Sequence, residues 1–128
     1  QMLSIQKVNL LGNILDTTYG RSGTSASGTS SIKYSLAGDI LTLKFTRIVH
    51  FAGEQSLRSQ VDKYTDEAVD VLGKYLTEVK KIYKEVSGEA LKLKDVRSDD
   101  DVEMVSMNNM SPRKVAYYRR NHVLQIQN

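Results

Sequence analysis

Cysteine and tryptophan are absent from this chain, and proline occurs once. Without cysteine there is no disulfide, no thiolate nucleophile and no cysteine metal site, a composition that suits a reducing compartment. No apolar run approaches the roughly 20 residues of a membrane-spanning helix, so no membrane partner is expected. The first residues lack the charged and apolar blocks of a signal peptide, which points to a cytoplasmic or virion location. Gln1 precedes Met2, and Met2 is expected to be the natural start. Charge of one sign is scarce too. The formal net charge is +3, too small to name a polyanionic ligand by itself. What remains is 128 residues, 40% of them hydrophobic, which fits one domain with one modest core.

The stretch SIQKVNLLGNILDTTYG predicts a helix capped by Ser4 and ended by Gly20. Ile5, Val8, Leu11 and Leu15 form its apolar stripe. A helix this short is marginal alone and must dock that stripe on something. GRSGTSASGTSS follows, without a large apolar side chain, and reads as a flexible tether. A phosphate loop is the sharper alternative, because Gly23 and Gly28 have the required spacing. Thr29 stands where the lysine is needed, however, and the expected order of elements is reversed.

SSIKYSLA and ILTLKFTRIVHF flank Gly38-Asp39, a pair suited to a type II′ hairpin. That turn sets Leu36 against Leu41, Tyr34 against Leu43 and Ile32 against Phe45. It leaves Ser35 against Thr42 and Lys33 against Lys44 on the other face. The second strand outruns the first and needs a further partner. From Glu54 to Val86 an apolar residue recurs every three or four positions, which predicts one long helix closed by Gly88. Val69, Leu72, Leu76 and Tyr83 form a second apolar row. At 1.5 Å per residue such a helix is about 50 Å long, more than a compact domain of this size holds comfortably. EALKLKDVRS is expected to be a strand with a bulge near Asp95, paired with DDDVEMVSM through an acidic turn. Ser111-Pro112 resembles a helix start, so a short helix and then a last strand, HVLQIQ, are expected.

Chemistry has few carriers. His50 and His122 are expected at a strand end and in a turn, without a defined catalytic partner. Asp99, Asp100 and Asp101, with Asp95 and Glu103 near, lack the alternate spacing and glycine of a calcium loop. No catalytic residue, cofactor or metal is therefore assigned. RKVAYYRRNH offers Arg113, Lys114, Tyr117, Tyr118, Arg119 and Arg120 as nucleic-acid contacts.

The expectation is an α+β domain over residues 32–128, a mainly antiparallel sheet on one long helix. The helical arm, 1–19, is carried on the tether, 20–31. Its function is expected to be non-enzymatic: a structural or assembly protein of the viral or bacteriophage kind. It would form homo-oligomers by arm exchange, with other assembly proteins as further partners. The arm's Ile5, Val8, Leu11 and Leu15 would then cover Val69, Leu72, Leu76 and Tyr83 of a neighbour. A basic nucleic-acid-binding protein is the alternative, and a small enzyme the third reading.

Overall fold

The computed structural model describes the backbone of residues 2–20, 24–27, 30–52, 57–98, 105–106 and 113–128. Helix α1 (Met2–Tyr19) precedes strands β1 (Thr24–Ser27), β2 (Ser30–Ala37) and β3 (Ile40–Ala52). Helix α2 (Leu57–Ser87) leads to β4 (Lys92–Ser98), β5 (Val105–Ser106) and β6 (Arg113–Gln127). The sheet is antiparallel throughout, in the order β1-β2-β3-β6-β4, with β5 also on β6. The class is α+β, as expected.

The hairpin register is the one its turn implies: Leu36 pairs with Leu41, Tyr34 with Leu43, Ile32 with Phe45 and Lys33 with Lys44. Gly38 has φ of 58°, the positive value a type II′ turn requires at its first central residue. Gly20 and Gly88 end the two helices at φ of 81° and 77°, where a side chain would be strained.

The overhang of β3 finds its partner in β6, over thirteen residue pairs from Ile40–Gln125 to Ala52–Arg113. This corrects the short helix expected after Pro112. Arg113 to His122 lie in one continuous strand with HVLQIQ. Val115, Tyr117 and Tyr118 favour the extended form, and the unpaired edge of β3 outweighs the local helix-start signal. A second correction concerns the acidic stretch. β4 and β5 do not pair with each other; both run along the same edge of β6. The register slips between Asp95 and Arg97, which is the bulge expected there. The acidic turn expected from Ser98 to Asp101 lies, beyond Ser98, outside the described residues.

The length of α2 now has a cause within the chain. The helix must carry the chain back along β3 before β4 starts in the same direction as β3. Thirteen residues of strand at about 3.3 Å each span about 43 Å, and a helix needs about 29 residues for that distance. It has 31. The length of the helix is matched to its strand.

Both helices pack on one face of the sheet. Leu11, Ile14 and Leu15 of α1 join Ala68, Leu72, Tyr75, Val79 and Tyr83 of α2 in a core with Ile32, Leu41, Leu43, Phe45, Leu124 and Ile126. The Ser4 hydroxyl donates to Asn128 and the Lys7 ammonium to the Gln127 carbonyl, which fixes α1 against the end of β6. The arm is thus seated on its own chain. Thr24–Ser27, within the stretch read as a tether, add a strand to β2. Short polar side chains still pair through their backbone, which side-chain patterning does not reveal.

The Tyr34 hydroxyl, bonded to Asp16 at 2.6 Å, is pushed up to about 12 by burial and by that carboxylate. Burial also raises the Tyr75 phenol, whose ring lies 4.7 Å from that of Tyr19. The fold favours the neutral phenols. Their contribution is therefore full below about pH 10 and lost as the pH climbs through about 12. A urea midpoint should fall across that window, and Tyr34→Phe should make the fall shallower. An identical slope in both proteins would refute the assignment.

Candidate functional site

Strand alternation splits the basic decapeptide. Tyr118 points into the protein, buried, with its ring 5.0 Å from that of Tyr64. Arg120 is half-buried on the same, helix-covered face, and Arg119 is exposed on the other. Arg113, Lys114 and Tyr117 pair with Ala52, Phe51 and Ile48, and their side chains lie outside the described set. Tyr118 is therefore corrected as a nucleic-acid contact, because core packing takes its ring. The segment does not act as one grip, since successive strand residues face opposite ways.

The face that the helices leave uncovered collects a different set of cations. Lys33 on β2 stands directly across from Lys44 on β3, and Lys44 from Asn121 on β6. Arg119 stands across from Thr46, Lys94 from Gln125 and Lys92 from Gln127. Four strands thus contribute five cations to one surface. Among the described residues none of its strand positions is acidic and none is fully buried. Asp39, at the hairpin turn on the rim, accepts a hydrogen bond from the Gln125 amide at 2.9 Å. Between the charges lie Thr42, Thr46, Asn121, Val123 and Gln125, with no aromatic ring among the described positions. Such a face suits phosphate contact, and none of its described side chains is a platform for base stacking. Like charges directly opposite cost a pair of strands about 0.2–1 kcal/mol, so Lys33 and Lys44 do not serve the sheet itself. Their pairing was legible in the hairpin register. Lys92 and Lys94 joined them only through the pairing of β4 with β6.

On the covered face, His122 Nε2 lies 2.8 Å from Asp95 Oδ1. The imidazole belongs to strand β6, which corrects the turn expected for it. Asp95 stands 77% exposed at the sheet margin. His50 pairs with Val115, and its side chain is outside the described set, as are Asp99, Asp100, Asp101 and Glu103. Among the described residues no three His, Asp or Glu side chains cluster as a metal site would require. Arg47 forms an ion pair with Glu67 and lies over the Tyr64 ring, tying β3 to α2.

The expected exchange interface divides. Leu11, Leu15, Leu72 and Tyr83 are buried in the chain's own core, and Val8 and Leu76 are partly buried against it. Ile5 and Val69 remain 60% and 51% exposed. Within the single chain most of the stripe is covered. No helix among the described residues is long and apolar enough to cross a membrane. Neither family models, curated proteins nor solved structures yield a match to this chain.

Proposed function

We propose that this chain is a non-enzymatic binding protein that takes nucleic acid on the uncovered face of its sheet, through phosphate contacts. The observation that carries the reading is the set Lys33, Lys44, Lys92, Lys94 and Arg119, gathered on one open surface to which no described strand position adds an acid, Asp95 of β4 standing on the other face. Through phosphate contacts, binding is expected to depend on the backbone and to discriminate little between sequences.

Fluorescence anisotropy with labelled single- and double-stranded oligonucleotides, over a salt series from about 50 to 200 mM, tests this. Affinity should fall steeply with salt, and Lys33→Gln/Lys44→Gln/Lys94→Gln should remove most of it. Lys44→Glu gives a sharper result. It should stabilise the protein by about 0.2–1 kcal/mol, by relieving the facing lysines, while weakening binding. A triple variant that binds like the parent, or no binding at the lowest salt, would overturn the proposal.

The second reading is a homo-oligomeric structural or assembly protein of viral or bacteriophage type, working in the cytoplasm or a virion. The exposed Ile5, Val69 and Val86 favour it, although isolated surface apolar residues are common in monomers. Light scattering at low and high salt separates the two. A stable oligomer without affinity for oligonucleotides would put the assembly reading first.

A further inference from the structure

Tyr19, the last residue of α1, meets Tyr75 of α2 ring to ring. The ring centroids lie 4.7 Å apart, with the planes 35° from each other. Tyr75 is 6% exposed and Tyr19 half-buried. Both hydroxyl oxygens are buried, and among the described residues neither has a hydrogen-bond partner. We propose that Tyr19 and Tyr75 form an oxidative modification site, where a peroxide acting in one-electron steps joins them as dityrosine and ties α1 to α2. The site lies on the helix side of the sheet and owes nothing to the reading of the lysine surface.

Packing alone does not account for the two hydroxyls. A buried tyrosine hydroxyl usually finds a partner, and phenylalanine would fill the same space without an unpaired polar atom. Unsatisfied buried groups in a folded chain call for an explanation, and redox chemistry is one. Composition directs such chemistry to tyrosine. With no cysteine and no tryptophan, the chain has no thiol or indole to give up an electron first. Charge then chooses between pairs. Tyr64 and Tyr118 also stack, at 5.0 Å, but the Arg47 guanidinium lies 5.0 Å over the Tyr64 ring. A cation there opposes removal of an electron. Beside Tyr19 and Tyr75 the charge is negative. Burial pushes both phenols up, and the nearby Glu78 carboxylate adds to the rise. That same carboxylate favours removal of an electron. The step balances. Each phenol gives up one electron and its hydroxyl proton, and the two phenoxyl radicals bond Cε to Cε. The hydrogens on those carbons move to the oxygens and restore both hydroxyls. One hydrogen peroxide takes the two electrons and two protons and becomes two waters.

The test treats the dilute full chain with hydrogen peroxide and a haem peroxidase, and reads the monomer by mass spectrometry after trypsin. Peptide 8–21 should be joined to peptide 75–80, two hydrogens lighter than their sum. Tyr19→Phe should lose this link, yet melt no lower than the parent, because it removes a hydroxyl without a partner. Tyr64→Phe should keep the link. The linked monomer should melt higher by about 10 °C, since the new bond closes a long loop of the unfolded chain as a disulfide does. Three outcomes would overturn the proposal: no link between 8–21 and 75–80, a higher yield of 64–74 linked to 115–119, or a linked monomer that melts like the parent.

Discussion

Leu41→Asp is expected to leave the chain without a cooperative folded state near 25 °C. Leu41 is fully buried, with Leu36 on one side of it in the sheet and Leu124 on the other. Truncating such a leucine costs about 2–5 kcal/mol by itself. The aspartate adds an ionised carboxylate with no cation beside it, and that burial is the larger part of the penalty. Domains of this size hold about 5–15 kcal/mol in all, so the two effects together consume most of it. Leu43→Asp should do less harm, because His122 stands directly across from Leu43 on β6. Thr42→Asp is the control. Thr42 is the next residue along but faces the open, cationic side, so this variant should melt close to the parent. Circular dichroism melts of the three settle the matter. Equal damage at positions 41 and 42 would show that the two faces are wrongly assigned.

The double variant Leu11→Ala/Leu15→Ala should lose about 4–10 kcal/mol, twice the single-site range, and should unfold as a monomer. Both leucines are fully buried in the core that α1 shares with α2 and the sheet. Because the arm covers its own chain, the parent's melting midpoint should not change with protein concentration. Arm exchange makes the opposite forecast. The midpoint would rise with concentration, and the double variant would lose mass while keeping its hairpin and long helix. Melting at two concentrations, with mass by light scattering, distinguishes them. A variant that only falls apart into folded subunits would restore the exchange reading.

The candidate surface was half visible from the chain. Lys33 and Lys44 could be set face to face because a two-residue turn fixes the register of the strands it joins. Lys92 and Lys94 could not be added, because their neighbour on β6 lies more than thirty residues away in sequence. The apparent cluster at Arg113 to Arg120 misled for the same reason. Adjacent charges in sequence read as one patch, but an extended strand sends them to opposite faces.

The sequence by itself determined the local elements: the Gly38 turn, the glycines that end both helices, the apolar face of α2 and the bulge near Asp95. Each is encoded by residues within a few positions of one another, where periodicity and backbone preference act directly. Only the tertiary structure decided that Arg113 to Gln127 form one strand, that α1 joins the core formed by α2 and the sheet and that α2 is as long as β3 requires. These follow from the need to pair the free edge of β3 and to cover one face of the sheet. That need arises only once distant segments meet, and it outweighs the local preference of a Ser-Pro helix start or of a Gly/Ser-rich stretch.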